Sequence, residues 1–205
     1  MAKKYLYDKR ELNEWINKEE SYYNSIRYDK RNKIVSLLDC DNEILIKRYL
    51  KVLRKSEYYL NNSFYKTRKK KNILYDLKYF IILRKKYKLG RKLGFEIEPN
   101  CFGKGLTIYH AGGIIVNGNA RIGQNCILHG QNVIGNNGKN NKAPILGNNV
   151  RLGMGAKIIG DVKIADNVVI GAGAVVVKSI QTPGAVVVGV PGKIVHIKDK
   201  NHIIS

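Results

Sequence analysis

From Val116 to Val176 an aliphatic side chain returns on a six-residue beat: Val116, Ile122, Leu128, Ile134, then Leu146, Leu152, Ile158, Ile164, Ile170 and Val176. The fourth residue after each anchor is mostly small or β-branched (Ala120, Cys126, Val150, Ala156, Val162, Val168, Ala174), with Asn132 and Ile180 as exceptions. Glycine often follows the anchor, as at Gly123, Gly135, Gly147, Gly153 and Gly171. Six is the period of neither an amphipathic helix nor a simple alternating strand. It is the period of a hexapeptide solenoid, in which short strands turn corners and stack as a parallel β-helix. Three hexapeptides close a coil of eighteen residues. Anchors point inward and stack at ~4.8 Å, and small residues fill the corners.

Two steps break the beat. Ile134 to Leu146 is twelve residues, and the text between, Asn136 to Pro144, is polar and carries glycine, so it reads as an extruded loop. Ile108 to Val116 is eight residues, so two extra residues enter around Tyr109, His110, Ala111, Gly112 and Gly113. Loops that leave a rigid scaffold are where function tends to sit.

Composition divides the 205-residue chain near residue 93. Residues 1–92 carry 26 Lys/Arg against 11 Asp/Glu and 12 of the 13 tyrosines, whereas most of the 20 glycines follow. The first part, 1–92, is expected to be a basic helical region. Its signals are Asp8 before Glu11, Leu12, Trp15 and Ile16; Ile34 to Leu38; and Ile44, Leu45, Tyr49 and Leu53. A last segment runs from Ile73 through Phe80 and Ile81 to Lys88, with Gly90 as its stop. This region should cap the first coil of the second part, 93–205, and protect an open sheet edge. The expected fold class is therefore α+β.

No apolar run approaches the ~18 residues of a membrane span. The N-terminus has no signal-peptide pattern, which points to a cytoplasmic chain. Cys40, Cys101 and Cys126 form no even disulfide framework, and Cys126 fills a small corner slot as a packed thiol. The net charge of +21 raises the question of nucleic acid, with Arg68 to Lys71 beside tyrosines as candidate phosphate contacts. Because Lys, Asn, Ile and Tyr are enriched together, no nucleic-acid partner is expected. The basic region could instead sit near anionic membrane lipid or a phosphorylated glycolipid.

Two of the four histidines fall in the solenoid. Eighteen residues plus the two inserted separate Ile108 from Leu128, so these anchors share a side. Tyr109 and His129 should then stack, with His110 beside them at one corner. Two imidazoles next to a loop make a proton-transfer site, since histidine titrates near neutrality. Glu96 or Glu98, about one coil away, could fix the tautomer of His110. The spacing does not choose between them. No spacing matches a zinc site, so no metal is expected. His196 and His202, beyond the repeats, are read as unrelated to the site.

The text Gly105-Leu106-Thr107-Ile108-Tyr109-His110-Ala111-Gly112-Gly113, continued by Asn125-Cys126-Ile127-Leu128-His129, Ile170-Gly171-Ala172-Gly173-Ala174 and Gly189-Val190-Pro191-Gly192-Lys193, resembles the hexapeptide acyltransferases of the serine acetyltransferase type. The resemblance covers residues 95 to 197, half the chain. It implies a left-handed β-helix, a homotrimer, and acetyl-CoA in a groove between subunits. It implies His110 as general base for direct transfer and Glu96 as its better-matched carboxylate; His129 joins the catalytic set as the second imidazole of the corner. Gly155, Ala156, Ala172 and Gly173 would line the pantetheine arm, and Pro191 and Lys193 would border the adenine and its phosphates. Two departures concern the acceptor. Tyr109 stands where the free-serine enzymes carry an acid, and Lys142-Ala143-Pro144 stands where they carry Arg-His-Pro. With the short basic helical region, these differences look closer to the O-acetyltransferases of capsule and exopolysaccharide assembly, and Tyr109 and Lys142 become acceptor-binding candidates. The expectation is acetylation of a sugar hydroxyl in surface polysaccharide synthesis. The alternative is serine O-acetylation for cysteine synthesis. A third reading is a non-catalytic trimeric scaffold.

Overall fold

The computed structural model describes residues 5–25, 42–67 and 73–197. The expected helix at Ile34 to Leu38, the basic stretch Arg68 to Lys71, Cys40 and His202 lie outside the described residues. The chain divides into two compact units, Met1–Gly94 and Phe95–Ser205.

The first unit is helical: α1 (Lys9–Ser25), α2 (Asn42–Asn62), α3 (Phe64–Thr67) and α4 (Ile73–Leu93). Asp8 caps α1, its Oδ1 accepting from the N–H groups of Arg10 (2.6 Å) and Glu11 (3.2 Å). Leu12, Trp15 and Ile16 form the buried face that the spacing predicts. Between α1 and α2 lies a buried ion cluster. Arg54 Nη2 donates to Glu19 Oε1 at 2.7 Å, Arg54 Nη1 donates to Glu57 Oε2 at 2.8 Å, and the guanidinium sits 4.9 Å from the Trp15 ring centroid. Burial opposes the cation, but two carboxylates hold the guanidinium firmly charged. Removing one partner would strand a buried charge. Helix α4 departs from expectation at its end. Gly90 is buried inside the helix, and the stop is Gly94, whose φ of 75° takes the left-handed turn. Its residues Ile73, Leu74, Leu77, Phe80 and Ile81, apolar at helical spacing, face outward.

The second unit is a parallel β-helix of three faces. The first stacks β1 (Phe95–Ile97), β3 (Ile114–Val116), β6 (Val133–Gly135), β9 (Lys157–Ile159) and β12 (Val175–Val176). The second stacks β4 (Arg121–Ile122), β7 (Ile145–Leu146) and β10 (Lys163–Ile164), extended by bridges at Phe102 and Ile180. The third stacks β2 (Thr107–Ile108), β5 (Ile127–Leu128), β8 (Arg151–Leu152) and β11 (Val169–Ile170), closed by β13 (Ala185–Val188) and the antiparallel β14 (Lys193–Ile197). All ten anchors are buried. Pairing puts Ile108 on Leu128, Leu128 on Leu152 and Leu152 on Ile170. Those steps are 20, 24 and 18 residues, one coil with two, six and no insertions.

The corner between the second and third faces is held by an asparagine ladder. Asn125, Asn149 and Asn167 adopt φ of 56°, 56° and 63°. The amide of Asn125 donates to Asn149 at 2.9 Å, and that of Asn149 donates to Asn167 at 2.8 Å. Asparagine tolerates the left-handed region better than other side-chain-bearing residues. The extruded loop is shorter than its polar text suggests. Ala143 and Pro144 are buried, and Pro144 O accepts from Arg121 N–H, so the coil resumes there. Cys126 is buried as expected, and burial pushes its thiol well above the ordinary range. Among the described residues no helix is long and apolar enough to cross a membrane, and no cluster of His, Cys, Asp or Glu could hold a metal.

Candidate active site

The inserted residues after β2 widen the corner between the third and first faces. Tyr109 N–H donates to Leu128 O and His129 N–H donates to Leu152 O, so both residues leave their strands in ladder register. The Tyr109 ring meets His129 edge-on, centroids 4.6 Å apart at 74°. His110 is exposed beside them, and its column continues through Gly130 to Met154. A Cβ added to Gly130 would lie 3.3 Å from His110 Cβ and 3.4 Å from Met154 Sδ.

Burial first, then electrostatic repulsion from Arg151 and from His110, hold the His129 imidazole below the ordinary histidine range. His129 therefore stays neutral at neutral pH and can accept a hydrogen bond or a proton. Arg151 gives no signal in the hexapeptide pattern, because outward strand positions alternate without regard to type. Only the coil register brings it near His129.

Asn132 breaks the small-residue rule for a structural reason. It is buried, its Oδ1 accepts from Gly130 N–H at 3.0 Å, and its Nδ2 donates to Gly153 O at 2.8 Å. It thus pins the backbone beneath His110. Its polarity in an apolar slot was the one clue in the sequence.

Below His110 the corner carries Gly155, Ala172 and Gly173, with the exposed Met154 side chain among them. Gly155 N–H bonds Gly130 O and Gly173 N–H bonds Met154 O, and a Cβ at Gly112 or Gly173 would meet nothing within 4 Å. Ala172 and Gly173 are exposed on this corner, while the Ala156 side chain is fully buried and its N–H is bonded to Gly153 O. Pro191, after a cis peptide, and Lys193 are exposed where β14 begins.

Glu96 is exposed on β1 opposite Ile115, and Glu98 lies beside Gly118, so both sit on the first face or its far edge. Lys142 stands at the corner between the first and second faces, where its Nζ binds Asp161 Oδ2 at 2.8 Å, an exposed pair that raises the lysine's affinity for its proton. Within one chain the whole first face separates Lys142 from His110.

Residues 143–178 match the bacterial transferase hexapeptide family (six repeats). The serine acetyltransferase of Synechococcus elongatus is 36% identical over 90 residues, which is 42% of this chain and 37% of that protein. The serine acetyltransferase of Helicobacter pylori is 34% identical over 93 residues, 43% of this chain and 54% of that protein. The chain thus spans about half or less of the curated relatives it matches. The solved serine acetyltransferase of Brucella abortus aligns with a TM-score of 0.69 at 19% identity, covering 93% of this chain and 71% of that one. The fold is that of the serine acetyltransferases. The β-helix is accordingly left-handed, as expected, with a helical region before it. The Brucella enzyme's complex with coenzyme A aligns at 0.60 and 23% identity, covering 75% of this chain and 57% of that one. The soybean enzyme complexed with serine aligns at 0.59 and 25%, covering 74% and 57%.

Proposed function

We propose that this chain transfers an acetyl group from acetyl-CoA to an alcohol, with His110 as general base. The observation that carries this reading is the exposed His110 imidazole on the same corner as His129, which packs on Tyr109 and leans neutral, with open space beside Gly112 and Gly173. A pantetheine arm could lie along the open ground beside Gly112 and Gly173. His110 takes the hydroxyl proton as the alcohol oxygen forms its bond to the thioester carbonyl carbon. The carbon–sulfur bond then breaks, and the departing thiolate receives that proton from the imidazolium. No acyl-enzyme is needed. Glu96 is kept as the carboxylate that would orient His110, and His129 as the second acceptor at the site. Pro191 and Lys193, exposed on the last coil, suit the adenine and phosphates.

Serine is the acceptor best supported, because every relative and solved structure named above is a serine acetyltransferase. A sugar hydroxyl is the second reading, favoured by Tyr109 in place of an acid and by Lys142 being engaged with Asp161 rather than free to bind a carboxylate. The comparisons lend that second reading nothing. A homotrimer fits either acceptor, and a second copy would bring its extruded loop to the His110 corner that lies across the first face within one chain.

Thiol release from acetyl-CoA with serine, compared with nucleotide-sugars and oligosaccharides, separates the acceptors. His110→Ala should lower turnover by ~10²–10⁴-fold while coenzyme A still binds by calorimetry. Native-like turnover in that variant would remove the mechanism. No turnover with any acceptor and no coenzyme A binding would favour a non-catalytic scaffold.

A further inference from the structure

Helix α4 shows one exposed arc along its whole length. Its first turns present Ile73, Leu74, Leu77, Phe80 and Ile81, each between 59% and 68% exposed. The next turns present Arg84, Lys85, Lys88, Arg91 and Lys92 on the same arc, also exposed, and Lys78 flanks the apolar part. At 100° per residue these positions fall on one side of the helix. The helix has a single carboxylate, Asp76, and it is already used: its oxygens accept from Phe64 N–H and Tyr65 N–H, each at 3.2 Å. Tyr65, 71% exposed, stands beside that junction.

Five large apolar side chains rarely face water together without a partner. The partner must match an apolar patch that runs into six cations with no acid between them. The same arc of a second copy matches poorly: parallel pairing sets cations against cations, and full antiparallel pairing sets apolar turns against charged ones. Nucleic acid would satisfy the cations and leave the apolar side chains in water. An anionic bilayer satisfies both, with acyl chains for the first turns and headgroup phosphates for the rest. We propose that the outer arc of α4 docks this protein on the surface of anionic lipid membranes. The helix lies on the bilayer and does not span it, since it is too charged to cross. The acetyl-transfer reading is not needed for this inference.

The test is co-sedimentation of the full chain with phosphatidylcholine vesicles, with and without phosphatidylglycerol. Binding to the anionic vesicles alone, weakened by salt, is expected. Lys85→Gln/Lys88→Gln/Arg91→Gln should lower partitioning about a hundredfold, at roughly fivefold per cation. Leu77→Gln/Phe80→Gln/Ile81→Gln should lower it at least about tenfold with an unchanged thermal melt. If that triple variant loses its native melt, Phe80→Gln alone should still show a several-fold loss. No binding, equal binding to both vesicle types, or native-like binding by the apolar variant would overturn the proposal. So would light scattering that shows an oligomer dissolved by the apolar variant without vesicle binding, or oligonucleotide binding lost in step with it.

Discussion

Gly130 joins the fold to the chemistry. Its φ of 118° lies where side-chain-bearing residues are strained, and its missing Cβ leaves room for His110 on one side and Met154 on the other. Gly130→Ala therefore acts twice. The backbone conformation costs about 1–3 kcal/mol. The added methyl would stand 3.3 Å from both the Cβ and the carbonyl oxygen of His110. That carbonyl belongs to a coil whose neighbouring Tyr109 N–H is tied to Leu128 O, so it yields only by displacing the imidazole. A shift of a few tenths of an ångström is needed. Since about 1 Å of misplacement can cost ~10²-fold, a loss of roughly three- to tenfold in kcat follows. The assay is acetyl-CoA turnover beside urea unfolding of the same preparation. Gly138→Ala is the control: φ is 75°, nothing lies within 4 Å of its Cβ, and it sits in the extruded loop. It should cost about 1–2 kcal/mol for the left-handed backbone alone and leave turnover unchanged. If Gly130→Ala matches Gly138→Ala in both measurements, the close packing beneath His110 is not what positions the imidazole.

Asn149→Ala should destabilise the β-helix by about 1–2 kcal/mol more than Asn149→Gly, because alanine carries the left-handed penalty and both lose the ladder bonds; hydrogen exchange over 120–180 reads the difference, and equal values would refute it. Leu152→Asp should prevent the solenoid from folding, since this fully buried anchor would become an unpaired charge, with circular dichroism and protease resistance as readouts. Arg151→Gln should raise the His129 pKa, visible in an imidazole NMR titration. Because the folded-state pKa of His129 lies below its unfolded value near ~6.5, the unfolded chain takes the proton first. Stability should fall as pH drops below ~6.5 and level off below the folded value, and Arg151→Gln should reduce that fall.

The solenoid was legible because its signal is local and redundant. Ten anchors in phase declare which side chains turn inward, and counting insertions puts Ile108 over Leu128 and Tyr109 beside His129. The helical starts were legible for a similar reason: Asp8 supplies a cap whose partners lie within three residues. The end of α4 was not. Gly90 looks like a stop, but a glycine inside a long helix costs only ~1 kcal/mol, and Gly94 at positive φ takes that role. Polar text likewise overstated the loop by two residues, because Ala143 and Pro144 are small and rigid enough to rejoin the coil.

By itself the sequence determined the period, and the period determined the β-helix, its inward anchors and the corner where two histidines meet. That follows because each coil repeats the same short-range rule, so one count carries to the next. Only the tertiary structure decided what stands opposite what on the outer surface. It put Arg151 near His129, bonded Asn132 beneath His110, set Lys142 across the first face from them, and turned the apolar arc of α4 to the outside. Outward side chains are free of the packing that enforces the repeat, so their partners are fixed by coil stacking and helix contacts that no local spacing encodes.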